Sequence, residues 1–471
     1  MKTMQVLDKE EQRELVFKEQ PELTLTSACK LNNGVIKHTE YEKKFYNTQF
    51  TDNNIKTSFF IPASGSGSRM FQFLYDFLNE PNEENRGKTE KFLNSIESFA
   101  FFDLFPIELK NRLRKYDIEL EDFVSYLLNG DGLGFGHLPK GLIPFHKSGS
   151  FILNAFQEHL LQGMKVREEN VDFHFTINKK FEKRILKSLL GVLELTGKKA
   201  EISTSEQNPD TNSYAFSENG ELVKNENGEF LTRPSGHGAL LENLNQIDAD
   251  TIFVKNIDNV QHSSLANHSR KTLQYLGGIL YKLKLELLDV KNSGGDLKEG
   301  LKRLNIKYNI FLDDESIDKM SENEIETFFK RPLRVCGMVK NEGQPGGGPF
   351  WVDDGKMISK QIVEKAQIKM KGEQYRLMVQ SQYFNPVLMA LSSKNIFGEK
   401  INLNDFSDNS KYFIVKKKYQ GQAIKFLEKP GLWNGGMANW ISVFVEIPSD
   451  VFTPVKTVLD LLEEKHRVKE K

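Results

Sequence analysis

The stretch Phe59-Phe60-Ile61-Pro62-Ala63-Ser64-Gly65-Ser66-Gly67-Ser68-Arg69-Met70 sets a run of small residues between an apolar segment and an arginine. Small residues let backbone N–H groups approach an anion closely, and the start of a helix adds a favourable dipole. The Arg69 guanidinium is a fixed fork suited to phosphate oxygens. The chemistry on offer is phosphate binding by Gly65, Ser66, Gly67, Ser68 and Arg69. An ordinary flexible turn is the other reading of the same residues. Lys140 lies between Pro139 and Pro144 in a short apolar segment, either snorkelling at the surface or directed to a phosphate. Asp258 follows the apolar run Thr251-Ile252-Phe253-Val254-Lys255, where open α/β sheets place ligands. There it can hold Mg²⁺ together with phosphate oxygens, or cap a turn. Pro234-Ser235-Gly236-His237-Gly238 is a second glycine-bearing loop, and Gly343–Trp351 is a third stretch whose backbone can lie against a ligand. No histidine–carboxylate pair is readable in the chain. His174, on the polar side of an alternating segment, reads as structural.

These residues need elements to aim them. Residues 56–62 read as a buried strand, and Met70, Phe73, Leu74, Phe77 and Leu78 fall on one face of a helix. Glu80–Lys88 is rich in breakers and reads as a link, followed by helical patterns to about residue 128. Val171–Ile177 alternates as a strand, 181–195 is helical up to Gly197, and 200–203 is a short strand. The Asn219-Gly220 and Asn227-Gly228 pairs predict hairpin turns. Residues 265–289 form a long helix, 291–330 a charged helical insertion, and 334–339 and 442–447 strands. Strands alternating with helices predict a mixed, mainly parallel sheet. The organisation expected is a polar extension over 1–55 with one or two outer helices, and a core over 56–290 interrupted by helices at about 80–130. The insertion 291–330, a second part of the core at 331–462 and an exposed charged tail at 463–471 complete it.

The composition narrows the class. Sixty-four Lys and Arg against 65 Asp and Glu leave a net charge of −1, so no global field favours nucleic acid or an acidic membrane. Lys416-Lys417-Lys418 reads as a solvated strand end. Two cysteines, Cys29 and Cys336, make no disulfide framework and no metal spacing. No apolar leader or membrane-length run is visible, so a cytoplasmic protein is expected. Thirty-five phenylalanines supply a large apolar core.

Taken together, five segments resemble one superfamily, the sugar nucleotidyltransferases, and within it the UDP-sugar pyrophosphorylase branch. The chain is most similar to an uncharacterised bacterial domain family placed in that superfamily. Pro62–Met70 is similar to its P-A-x-G-x-G-T-R-M loop, with Ser68 in place of threonine. Leu138-Pro139-Lys140-Gly141 resembles the P-K-G element, although Lys140 comes later in the chain than is usual, as an inserted 80–130 segment would cause. Gly236-His237-Gly238 resembles the branch's base-side loop, Asn256-Ile257-Asp258-Asn259 its N-x-D-N metal motif, and Phe452-Thr453-Pro454-Val455-Lys456-Thr457 with Asp460-Leu461-Leu462 its ending. The resemblance implies a Rossmann-like, three-layer α/β/α (GT-A-like) core with helical insertions. It implies a nucleoside triphosphate, UTP favoured, and a sugar 1-phosphate as partners, Mg²⁺ as cofactor, and neither nucleic acid nor membrane.

By the same resemblance Gly65–Ser68 and Arg69 cradle the β- and γ-phosphates. Lys140 reaches the triphosphate or the incoming phosphate, Asp258 holds the metal, and Lys456 stabilises charge at the α-phosphate. Gln207 and Gly236, His237 and Gly238 contact the base. Asn256, Gly347 and Asn434 are candidates for the sugar; packing is the other reading of Asn434 and its neighbour Trp433. Two other readings use the same sheet type: a glycosyltransferase, for which Asn256-Ile257-Asp258 lacks the first carboxylate of a D-x-D pair, and a non-catalytic nucleotide-binding protein.

Overall fold

The computed structural model describes residues 6–18, 23–169, 171–343, 347–355, 357–368 and 371–468. The chain forms two compact units. The first comprises residues 1–60, 207–254 and 272–449; the second comprises 61–206, 255–271 and 450–471.

The first unit is built on a mixed sheet. Its strands run in the order Lys30–Leu31, Gly34–Ile36, Ile441–Glu446, Leu333–Lys340, Leu388–Ser392, Thr251–Lys255 and Thr57–Pro62. Leu333–Lys340 runs parallel to Ile441–Glu446 and antiparallel to Leu388–Ser392. Thr251–Lys255 and Thr57–Pro62 are parallel, with Phe253 opposite Phe59. Apart from the exposed edge pair Lys30–Leu31, these strands are buried along nearly their whole length, as sheets covered on both faces require. Their core gathers Cys29, Val35, Phe60, Val254, Cys336, Trp351, Trp433 and Phe444, and both cysteines are free thiols.

The first residues hold helices at Lys9–Phe17 and Glu40–Thr51, as their composition predicts. They also supply strands that the pattern does not announce. Gly34–Ile36 pairs in the main sheet, and Thr24–Ala28 pairs antiparallel with Gly348–Asp353. That second pairing corrects the reading of Gly343–Trp351 as a loop. From Gly348 onward it is a strand, hydrogen-bonded on both edges. Pro349 is tolerated where a central strand rarely admits proline. The expected hairpin turns are present, with Gly220 and Gly228 at φ +82 and +80.

The second unit carries a parallel strand pair, Val171–Thr176 beside Ile202–Ser205, joined by the helix Glu182–Thr196. Gly197, at φ +65, ends that helix in the left-handed conformation that glycine adopts freely. The helical segment after Arg69 begins earlier than its breakers suggest, because Asn82 caps a helix at Glu83–Asn94. Helices at Ile107–Arg114 and Leu120–Leu128 follow. An aromatic cluster holds this region: Phe73 on Phe92, Phe92 on Phe99, Phe99 on Phe101 and Phe101 on Phe135, with centroids 5.0–5.6 Å apart. Among the described residues no helix is long and apolar enough to cross a membrane.

Candidate functional site

The small-residue loop leaves its strand at Pro62 and lies against the segment that carries Lys140. The Ala63 N–H donates to Thr176 O at 2.8 Å. The Gly67 N–H donates to Leu138 O at 2.9 Å, the Lys140 N–H donates to Gly65 O at 3.1 Å, and Ser66 bridges to Pro139. Gly67 is glycine for want of space: a Cβ there would sit 2.5 Å from Ile143 Cδ1 and 2.9 Å from Leu138 O. Gly65, by contrast, faces open space. The Ser66 hydroxyl accepts from Ser68 N–H at 3.2 Å and donates to the Ser68 hydroxyl at 3.0 Å, folding the loop into a tight turn. Arg69, in the first turn that follows, is exposed and takes no ion pair among the described residues.

Lys140 is not a surface lysine. Its side chain is 13% exposed, and Nζ donates to Asp258 Oδ2 at 2.9 Å. Lys456 Nζ donates to the same oxygen at 3.1 Å. Three residues that the sequence analysis singles out therefore meet at one atom. Burial pushes the Asp258 carboxyl up, but the two ammonium groups and their hydrogen bonds outweigh it and hold the group below its ordinary value. Burial pulls Lys140 below its ordinary value, opposed by Asp258.

Two backbone stitches bring these distant segments together. The Asp258 carbonyl accepts from Val455 N–H at 2.9 Å, and the Asn259 side chain accepts from Thr453 N–H at 2.9 Å. Asp460 then fixes the lysine's own backbone, accepting from the Lys456 and Thr457 N–H groups at 2.6 and 2.7 Å in a capping box. The carboxylate of Asp-Leu-Leu thus holds the turn that presents Lys456. Asn256 takes part through its backbone, its carbonyl accepting from Asn259 N–H at 3.0 Å.

The other candidate residues lie in the first unit. Gly236, at φ +79, has the Glu428 carboxylate where a Cβ would stand, and a Cβ on Gly238 would be 2.1 Å from Pro430 O. The His237 ring lies 4.4 Å from that of Trp433, and the Lys429 N–H donates to Ser235 O at 3.2 Å. The Gly236–Gly238 loop and the loop carrying Asn434 are therefore one packed structure. Asn434 is 1% exposed, and neither of its amide atoms has a partner. Gln207 Nε2 is likewise buried and unpaired. Gly347 is wedged against Ile362, with its carbonyl accepting from Asn385 N–H. Gly346 lies outside the described residues.

The sequence shows no histidine–carboxylate pair, yet the second unit contains an exposed one, His268 with Asp450, and a buried one. His146 Nδ1 lies 2.7 Å from Glu158 Oε1, both side chains fully buried. His146 Nε2 in turn lies 2.9 Å from His466 Nδ1. Within the tail, Glu463, Glu464, Arg467 and Val468 are exposed as expected, but His466 is 3% exposed and anchors it. His174 is structural, its two ring nitrogens bonded to Ser203 and Ser205. A cavity of about 960 Å³ lies behind this tail, lined by Phe145, Lys147, His262, Leu461, His466 and Arg467 among others. Arg69, Lys140, Asp258 and Lys456 do not line it, so it is separate from the charged cluster.

Among solved structures, a UDP-glucose phosphorylase from Trypanosoma brucei is 14% identical with a TM-score of 0.47, covering 96% of this chain and 74% of its own. A UDP-glucose pyrophosphorylase mutant from Leishmania major in complex with UDP-Glc is 13% identical with a TM-score of 0.44, covering 97% and 76%. An Entamoeba histolytica protein, a candidate UDP-N-acetylglucosamine pyrophosphorylase, is 13% identical with a TM-score of 0.45, covering 89% and 80%. No curated protein matches the sequence. The family model described as a domain of unknown function, DUF4301, matches residues 1–467, and the chain belongs to that family.

Proposed function

We propose that the protein is a nucleotidyltransferase that joins a nucleoside triphosphate, UTP favoured, to a sugar 1-phosphate, releasing pyrophosphate. The observation that carries this reading is the meeting of Lys140 and Lys456 on Asp258 Oδ2, beside a small-residue loop that ends in the unpaired Arg69. Such a cluster concentrates cations and N–H donors where two polyanions must be brought together.

In the reaction, an oxygen of the sugar 1-phosphate attacks the α-phosphorus, and the bond to the bridging oxygen breaks as pyrophosphate leaves. A phosphate monoester, with a second pKa of roughly 6, is already mostly ionised near neutral pH, so no general base is needed. The loop backbone and Arg69 hold the β- and γ-phosphates. Lys140 and Lys456 turn from Asp258 toward phosphate oxygens, Lys456 at the transferring group. Gln207, Gly236–Gly238 and Asn434 serve the base and sugar.

Among the described residues no group of three or more His, Cys, Asp or Glu forms a metal cage. Mg²⁺ needs only one or two carboxylates when substrate phosphates complete its shell. Asp258 suits that role, because Oδ2 carries both ammonium groups and Oδ1 accepts no hydrogen bond among the described residues. Bound there, Mg²⁺ would neutralise phosphate charge.

The test is a pyrophosphate-release assay of the purified protein with Mg²⁺, each nucleoside triphosphate and a panel of sugar 1-phosphates. Turnover with one pair, highest with UTP, is expected. Nucleotide binding by calorimetry without turnover for any pair would overturn the transferase reading.

A further inference from the structure

One nine-residue helix, Ala155–Gly163, touches the segments that carry Lys140 and Asp258 and reaches the tail that carries Lys456 through His146 and His466. The Phe156 ring packs where a Cβ on Gly141 would stand, 2.5 Å away, beside Lys140. His159 Nε2 lies 3.1 Å from the Ile257 carbonyl, next to Asp258. Burial, with Lys255 nearby, lowers the His159 imidazole to about 3, so the ring is neutral and its Nε2–H donates. Between these two residues, Glu158 turns to a third partner. Its Oε1 faces His146 Nδ1 at 2.7 Å, and its Oε2 accepts from Gln162 Nε2 at 3.0 Å. His146 passes the contact to His466 at 2.9 Å, the two rings stacked with centroids 5.2 Å apart. His466 lies beyond Lys456 in the same tail: its backbone N–H donates to Glu463 O at 2.9 Å, and the Glu463 N–H donates to the carbonyl of Asp460 at 3.0 Å, the residue whose carboxylate holds the Lys456 turn.

None of these imidazoles meets a member of the phosphate-facing cluster through its own side chain, so their effect must be on position. The Glu158 carboxylate takes the Nδ1–H of His146, which leaves His146 Nε2 and His466 Nδ1 to share one proton. The other charged or titratable groups around the chain are Lys255 beside Glu158, the His262 ring 5.4 Å from His146, and Lys465 beside His466. The His262 N–H donates to Lys465 O at 3.1 Å, a second tie on the same tail.

We propose that the helix Ala155–Gly163 sets the geometry of the site, and that the Glu158–His146–His466 chain is a clamp positioning Lys456 against Asp258. This rests on reading Lys140, Asp258 and Lys456 as the site, but the clamp is measurable on the ligand-free chain.

The first measurement is amide hydrogen exchange on the full chain without ligand. His466→Ala should speed exchange at Val455, Lys456 and Thr457 by about tenfold or more, with the strand Val171–Thr176 unchanged. His466→Asn, whose amide reaches the place of Nδ1, should stay within about threefold of the parent. Glu158→Gln reads the same clamp from its other end, and serves if His466→Ala does not fold. In the pyrophosphate assay His466→Ala should lower kcat by about 10–100-fold with KM nearly unchanged. Parent-like exchange at 455–457 in both His466→Ala and Glu158→Gln would overturn the clamp. So would equal damage from the alanine and asparagine variants, or faster exchange spread equally into the strand. An inactive parent protein would instead overturn the proposed reaction and leave the exchange readout standing.

Discussion

Two polar regions of this molecule differ in how they treat charge. In the second unit the part-buried Lys140 pairs with Asp258, whose carboxylate also binds Lys456, and hydrogen bonds stitch the backbone around them, while the buried Asn259 Nδ2 and Thr453 Oγ1 nearby have no partner among the described residues. In the first unit the loops around Gly236 and Asn434 leave buried groups with no partner: both amide atoms of Asn434, Lys429 Nζ and the Ser235 hydroxyl. Burial pulls Lys429 below its ordinary value with only Glu242 opposing. An unpaired buried polar atom costs about 1–3 kcal/mol, so native chains rarely keep several on loops that pack together without a use. The first pattern is a device held ready by its own counter-charge. The second carries buried donors and acceptors that take no partner among the described residues.

The contrast can be broken most directly at its centre. Asp258→Ala should strand Lys140 as a buried charge, costing about 3–5 kcal/mol in urea unfolding, and should lower pyrophosphate release by about 10²–10³-fold. Parent stability would mean that the pair is not what holds Lys140 inside. Next come Arg69→Ala and Lys456→Ala, whose side chains reach solvent. Each should lower turnover by about 10²–10³-fold while leaving the melting temperature nearly unchanged. Parent rates in both would remove these residues from the mechanism. The third test uses pH. Burial lowers His159 and His466 to about 3 and His174 to about 4, against 6.5 ordinarily. Below pH 6.5 the unfolded chain takes up protons that the folded chain refuses, so stability present above 6.5 is lost as pH falls toward the folded values. Each ring contributes a slope of about 1.4 kcal/mol per pH unit at most, and urea midpoints at pH 7, 6 and 5 would read it. A flat profile would show that these rings charge inside the fold. The smallest functional effect belongs to the first unit. Asn434→Ala should change unfolding free energy by less than about 1 kcal/mol, because it removes unpaired atoms, yet weaken nucleotide-sugar binding about tenfold by calorimetry. A large loss of stability with binding intact would make Asn434 a packing residue.

Much of the charged cluster was legible before any coordinates. The small-residue loop, the Pro-Lys-Gly turn, Asn-x-Asp-Asn and the Lys456 ending each carry a local pattern, and each lands on a strand end or tight turn. What stayed hidden depends on partners far away in the chain. Lys140 has two readings until Asp258, 118 residues on, appears at its ammonium group. His146 and His466 are 320 residues apart, and a histidine in a charged tail looks like any solvated residue. Gly348-Pro349 reads as a loop because glycine and proline mask the strand behind them, which the Thr24–Ala28 edge specifies. Gly34–Ile36 is only three residues long, too short for a period to show.

Both ammonium groups settle on a single oxygen of Asp258. On the proposed reading that oxygen is a placeholder: without it an incoming anion would find two cations scattered by mutual repulsion. An arriving phosphate would exchange one set of contacts for another rather than create them. Its grip would be weakened by that exchange, but the lysines would already be gathered, and a departing product would be eased away as the aspartate reclaimed them.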